Sequence, residues 1–284
     1  MKKGNAKSIR AVLKNIADHE GLDLQSILTR YFHERLLYRI FNSAYLNRFF
    51  LKGGALLFAF EGLHARPTND IDMLATQISN DREIIKQIFR TICNIKYDDD
   101  CVFFNADSIE TMNITEDDKY VGVRIFIATR LDTVKQRLQI DIGFSDIISP
   151  APVRLTYPVL LNEFEYPVIQ AYSIETVIAE KFEIMIARST LNSRMKDFYD
   201  VYILLKNHNI NDETLTIAIR QTFKHRNTGF VDNHSLFSES FYRDINRQIL
   251  WKAFLRKIKH SGELEFSTVM ICIVERLYPI YRNL

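Results

Sequence analysis

The segment Leu51–Leu74 reads LKGGALLFAFEGLHARPTNDIDML. Two glycines, Gly53 and Gly54, separate the short apolar run NRFFLK from a helix-spaced apolar stretch that closes at Gly62. This is the pattern of a strand entering a tight turn and then a helix. Farther along, Asp70 and Asp72 alternate with Ile71 and Met73. On a strand, that alternation puts both carboxylates on one face and both apolar groups on the other. Neighbouring carboxylates on one face repel, so the pattern calls for a cation opposite them.

A second strand of the same kind lies at residues 137–144, RLQIDIGF, where Leu138, Ile140, Ile142 and Phe144 alternate with Gln139, Asp141 and Gly143. Asp141 therefore projects from the face opposite the core. Gathering Asp70, Asp72 and Asp141 costs several kcal/mol unless a hard cation neutralises them. Mg²⁺, with Mn²⁺ as the alternative ion, suits carboxylate oxygens and substrate phosphates. In a two-metal arrangement, shared carboxylates hold ions roughly 4 Å apart, one at the attacking hydroxyl and one at a triphosphate. An isolated DxD is more often a solvated surface pair. The Gly-Gly turn adds a separate signal, because backbone N–H groups at a helix N-terminus suit the phosphates of a nucleotide, with Lys52 adding charge. A plain strand-to-helix turn is the structural alternative for the glycines alone.

Composition sets the frame for these motifs. The chain has 284 residues and is 47% hydrophobic, as expected of a folded protein with a substantial core. Three cysteines, Cys93, Cys101 and Cys272, lack CxxC spacing, which argues against a disulfide framework or a zinc site. The basic start is broken by Lys14, Asp18, His19 and Glu20 before any sustained apolar region, unlike a secretory signal. No apolar run approaches the roughly 20 residues that span a bilayer. The expectation is a soluble cytoplasmic protein with no membrane partner. The net charge of +2 conceals an asymmetry: residues 181–284 hold 16 Lys and Arg against 11 Asp and Glu. That excess is compatible with a polyanionic partner and equally with solvated helix faces.

Residues 6–18 and 24–46 have helical spacing and read as a helical lead-in, the second carrying a stripe of Ile27, Leu28, Tyr31, Phe32, Leu36, Leu37 and Ile40. Ser79 to Cys93 also has helical spacing, and residues 121–128, VGVRIFIA, form a further strand. Pro150, Pro152, Pro158 and Pro167 punctuate an extended segment, after which the chain turns helical, with residues 225–241 as a loop. The domain boundary is expected within residues 150–172. On the helix starting at Ile174, Lys181 sits within the stripe of Ile174, Val177, Ile178, Phe182 and Met185. A lysine on an inward face needs an anion. Asp197 and Asp200, three residues apart on the next helix, offer a structural partner; a nucleotide triphosphate is the functional one. Arg194 lies within a turn of Asp197.

KGGALL and RPTNDIDML together resemble the nucleotidyltransferase family of AbiEii/AbiGii toxins. In that family a GG turn and an R-x-T-x-D-I-D segment mark a polymerase-β-like nucleotidyltransferase fold. SIETVIAEKFEIMIAR, residues 173–188, and RMKDFYD, residues 194–200, look like the family's two later motifs. The resemblance implies an α+β fold: a polymerase-β-like nucleotidyltransferase domain with a small mixed sheet and its helical lead-in over residues 1–160, then a mainly helical domain over 161–284. It implies phosphate or nucleotide binding by Gly53, Gly54 and Lys181, metal binding by Asp70 and Asp72, and a supporting catalytic role for Asp197. Asp141 joins the metal and catalytic set by the strand pattern and by similarity to the wider fold, where a third carboxylate acts as general base. The hydroxyl residue that follows the first glycine in many such folds is absent, since Gly54 and Ala55 stand there, leaving backbone donors for phosphate.

The activity implied is transfer of a nucleoside monophosphate from an NTP to an acceptor hydroxyl, such as the 3′ end of tRNA, by the toxin of a toxin–antitoxin or phage-defence system. A cognate antitoxin is then a further partner. Two rivals follow from the same residues: transfer to a protein or small molecule, and a catalytically silent module that binds RNA or protein.

Overall fold

The computed structural model describes residues 5–116 and 120–284 of the chain, and the side chains of residues 115–121 lie outside that description. Two compact units divide it: residues 1–146 with 153–171, and residues 147–152 with 172–284. A late strand returns the chain to the first sheet before the helical part begins.

The first unit opens with α1 (Ala6–Glu20) and α2 (Leu24–Phe41). It continues through β1 (Phe49–Lys52), α3 (Gly53–Glu61), β2 (Asp70–Ala75) and α4 (Arg82–Cys93) to β3 (Val102–Phe104), β4 (Glu110–Glu116), β5 (Tyr120–Leu131), β6 (Val134–Gly143), β7 (Val153–Thr156) and β8 (Val168–Ala171). All eight strands join one mixed sheet in the order β3-β5-β6-β2-β1-β8-β7, with β4 also pairing β5. β2 runs parallel to β6 and antiparallel to β1, while β1 runs parallel to β8. Sequence alternation recovers β2, β5 and β6, and the apolar run before the glycines recovers β1; β3, β7 and β8 are only three or four residues long, and β4, ETMNITE, carries mostly polar residues.

One face of the sheet is core. Ile71, Met73, Val123, Ile125, Ile127, Leu138, Ile140 and Ile142 are fully buried. Each is flanked in sequence by residues of the opposite face, so burying this set fixes the register: a slip by one residue would bury the aspartates instead.

The helix expected as a lead-in proves central to this unit. Fourteen of the 18 residues of α2 are buried, among them Arg30, His33, Glu34, Arg35 and Arg39. Its apolar stripe covers only one side, and internal partners permit burial of the rest. Arg39 makes a 2.7 Å ion pair with Asp100, and the Glu34 carboxylate accepts the Leu160 N–H at 2.8 Å. Arg30 donates to the Ala65 carbonyl and lies 4.9 Å over the Phe58 ring.

The second unit is helical: α5 (Ile174–Arg188), α6 (Met195–Asn207), α7 (Asp212–Arg226), the single turn α8 (Glu239–Tyr242), α9 (Ile245–Lys257) and α10 (Phe266–Tyr281). Ser173 caps α5 by accepting the Thr176 N–H, and Asn211 caps α7 in the same way through Thr214. Phe182, Phe223, Phe237 and Tyr281 pack ring against ring at its centre, with centroid separations of 5.1 to 6.3 Å. No helix among the described residues is long and apolar enough to cross a membrane.

Candidate active site

β2 and β6 lie side by side in register, so Asp72 stands directly opposite Asp141 and Asp70 opposite Gln139. Carboxylate oxygens of Asp70, Asp72 and Asp141 come within 4.8 Å of one another, all three groups half-buried at the surface of the sheet. The expectation that the two strands present three carboxylates together is therefore met in space.

The glycine turn belongs to the same place. Lys52 pairs with Asp72 across β1 and β2. Gly53 has φ +65°, a left-handed conformation that favours glycine, and a Cβ there would overlap the Asp72 carboxylate. Gly54 is also tightly packed, since its Cβ would lie 2.6 Å from the Thr68 hydroxyl. No side chain caps α3 at its start, so its first N–H groups belong to the backbone alone. The missing side chains thus let the acidic cluster approach the positive end of a helix.

Four residues that the motif reading did not single out shape this site. Arg124, opposite Asp141 on β5, donates from Nε and from a terminal nitrogen to both Asp141 oxygens at 2.7 Å. Those bonds, with the charges of Asp70 and Asp72, hold the guanidinium above its ordinary pKa, against its partial burial. Gln139 donates to the same carboxylate at 3.1 and 3.3 Å. Thr68 donates to Asp70 Oδ1 at 2.5 Å. Beneath the strand, fully buried His33 hydrogen-bonds the Asn69 backbone; burial pushes its pKa down to about 4 despite the nearby Asp70 charge. It is therefore neutral beside the segment that carries Asp70.

Lys52, expected to add charge at the turn, lies with its ammonium 2.6 Å from Asp146 in a largely buried pair. The donor set that remains exposed to a ligand is hard oxygen, the set Mg²⁺ or Mn²⁺ prefers, with no thiolate or imidazole in the cluster. The residues present fit such an ion.

The remaining predicted residues form a network in the second unit. Lys181 Nζ lies 2.8 Å from Asp197 Oδ1 and 2.8 Å from Asp200 Oδ2, and Arg194 Nε lies 2.6 Å from Asp197 Oδ2. Burial alone would raise the Asp197 carboxyl. Lys181 and Arg194 outweigh it and hold the group well below the usual carboxylate range. Nearby, Arg226 bridges Glu180 and Glu183 at 3.1 and 2.9 Å. Of the two partners open to Lys181 from sequence, the structure displays the carboxylate one.

Comparison with known proteins identifies the fold and the family. The fold is shared with JHP933 from Helicobacter pylori, at 11% identity and a TM-score of 0.53, covering 92% of this chain and 94% of that one. A second H. pylori protein, proposed to be a nucleotidyltransferase, aligns at 13% identity with a TM-score of 0.52 over 92% of this chain and 97% of that one. No match is found among curated protein sequences. A sequence model of the family described as "Nucleotidyl transferase AbiEii toxin, Type IV TA system" matches residues 35–271, from the middle of α2 into α10. The chain therefore belongs to the AbiEii nucleotidyltransferase toxin family, and it is a nucleotidyltransferase.

Proposed function

We propose that this nucleotidyltransferase moves a nucleoside monophosphate from an NTP to the 3′-terminal hydroxyl of tRNA, in a reaction that depends on a divalent cation, Mg²⁺ by preference. The observation that carries the proposal is the convergence of Asp70, Asp72 and Asp141 beside the uncapped Gly53–Gly54 turn. Asp70, Asp72 and Asp141 would hold the ion. When bound, it supplies Lewis-acid activation of the acceptor hydroxyl and charge neutralisation on the triphosphate. The backbone N–H groups at Gly53 and Gly54 receive phosphate oxygens, and the absent Cβ atoms keep that approach open. The acceptor oxygen bonds to the α-phosphorus as the bond to pyrophosphate breaks, and Asp141 takes the hydroxyl proton. Arg124 holds Asp141 by both oxygens and Thr68 holds Asp70 by one, so neither carboxylate has to reorient at the moment of reaction.

Lys181 is assigned the phosphate or nucleotide binding and Asp197 the supporting catalytic role that the family implies, and a cognate antitoxin the role of protein partner. Lys181→Arg keeps the charge of the network, so a selective rise in KM for NTP with unchanged melting would mark Lys181 as a phosphate contact.

Incubating the full chain with tRNA and each α-labelled NTP, in Mg²⁺ or EDTA, tests the central reading. Metal-dependent labelling of tRNA that Asp72→Ala abolishes is the expected result. Consumption of NTP in extract without labelled RNA would move the acceptor to a protein or small molecule. No consumption would leave a binding module.

A further inference from the structure

The face of the sheet that carries the three aspartates continues away from them. Along β6 the residues on that face are Asp141, Gln139, Arg137 and Lys135; opposite them on β5 stand Arg124, Phe126, Ala128 and Arg130. β3 brings Phe103 opposite Arg130. Acidic at one end, this face becomes basic and aromatic toward the other.

The far end is built as a stacking surface. Arg137 lies 3.8 Å over the Phe126 ring, and Arg130 lies 5.7 Å from the centre of Phe103, which is 54% exposed. Phe103, Arg130, Lys135 and Arg137 line a depression of about 490 Å³, with Glu110 as its one acidic residue. An exposed phenylalanine is not needed for the core, which lies on the other face. Among the described residues, neither Arg130 nor Lys135 has a carboxylate partner, whereas Arg137 is paired with exposed Glu110 at 2.6 Å. Cations set beside an exposed ring suit a single-stranded nucleic acid: the cations meet phosphates and the exposed Phe103 ring meets a base.

We infer that this basic and aromatic end of the sheet binds the single-stranded 3′ tail of the RNA acceptor and guides its terminal hydroxyl toward Asp141. The inference rests on the RNA-acceptor reading above and adds the surface that serves it. At the ~3.3 Å rise of a strand, Arg137 and Lys135 lie roughly 13 and 20 Å from Asp141 along β6. A tail laid along the strand therefore has its end at the carboxylates while the preceding nucleotides reach the cations. An acidic protein segment would satisfy the cations but leave the aromatic faces unexplained, so RNA is the occupant favoured.

The test uses the full chain, unfractionated tRNA and a short single-stranded RNA, with binding followed by anisotropy over a salt series and labelling followed with α-labelled NTP. The variants are Phe103→Ala/Arg130→Glu/Lys135→Glu and, as the milder change, Lys135→Glu alone. The triple variant is expected to weaken RNA binding at least tenfold, flatten the salt dependence and raise KM for RNA, with melting temperature and NTP affinity unchanged. Lys135→Glu is expected to fall between it and the unaltered chain. If the unaltered chain labels tRNA and both folded variants bind RNA as it does, the surface is overturned while the acceptor reading stands. If the unaltered chain neither binds nor labels RNA, both fall together. Loss of binding to an acidic protein partner with RNA binding intact would likewise overturn the inference.

Discussion

Two clusters of charge, one in each unit, use the same residue types to opposite ends. Around Asp197 the carboxylates and Lys181 are buried or nearly so, with Arg194 30% exposed at the edge, and lysine and arginine meet the carboxylates at 2.6 to 2.8 Å. Around Asp72 the carboxylates are half-buried and lie within reach of one another, and Arg124 grips Asp141 at 2.7 Å. A buried, compensated network resists exchange of its partners, because each exchange strands a charge in a poor solvent. A half-buried one loses less on exchange, since water and incoming ions screen the intermediate states. The first cluster is thus suited to holding helices together and the second to taking up a ligand.

Asp72→Ala is the strongest attack on this contrast. It should lower nucleotidyl transfer by about 10³-fold or more, ~4 kcal/mol on the barrier, while changing stability far less, because the carboxylate is half-buried. Label incorporation beside a melting curve reads both. A variant that melts early yet keeps most activity would make the two clusters alike.

Lys181→Met should do the reverse. It leaves Asp197 and Asp200 buried with one cation fewer, at a cost of about 3–5 kcal/mol in urea unfolding. A loss within ~0.5 kcal/mol, the range of an ordinary surface change, would remove the network from the stability of the helical unit.

Gly53→Ala sharpens the ligand-binding side. It combines a left-handed backbone with overlap on the Asp72 carboxylate, for a destabilisation of about 1–3 kcal/mol and weakened NTP affinity. Gly62→Ala is the matched control: φ is +56°, but nothing lies within 4 Å of the added atom. It should show the backbone strain without the loss of NTP affinity, as read by nucleotide titration. Equal effects on affinity would mean that the space over Gly53 is not what the nucleotide uses.

These residues also show what a sequence discloses. Asp70, Asp72 and Asp141 were legible because period-two alternation ties a side chain's face to its neighbours, and burial of Ile71, Ile140 and Ile142 enforces it. Arg124 was legible in principle. Pairing residues 121–128 with 137–144 as a hairpin puts it opposite Asp141, yet alternation within one strand says nothing about which residue faces which across two. His33 was hidden for a different reason. An apolar stripe identifies the first buried side of a helix, whereas the burial of α2 on its other sides depends on partners such as Asp100 and Leu160, remote in sequence. Lys181 shows the limit of a motif: its inward position predicts an anion, and both a carboxylate and a phosphate qualify.

Glu34 extends the comparison to pH, with the smallest expected effect. It lies in the scaffold beneath the sheet, fully buried, and burial pushes its carboxyl up to about 8 although Arg35 and the Leu160 N–H pull the other way. Because the folded state holds this proton more tightly than the unfolded chain, raising pH from the ordinary carboxylate range toward 8 removes stability from the first unit. Asp197 has the opposite sign: its depressed pKa contributes stability above the ordinary carboxylate range that is lost as pH falls below it. The first unit should therefore loosen toward alkaline pH and the second toward acid. Glu34→Gln keeps an acceptor for Leu160 and has no proton to lose, so its melting temperature should vary less between pH 5 and 8 than that of the unaltered chain. Hydrogen exchange resolved by region would assign the change to the first unit. An unaltered pH profile would mean that Arg35 keeps Glu34 ionised throughout, making it a second buried ion pair of the kind seen around Asp197.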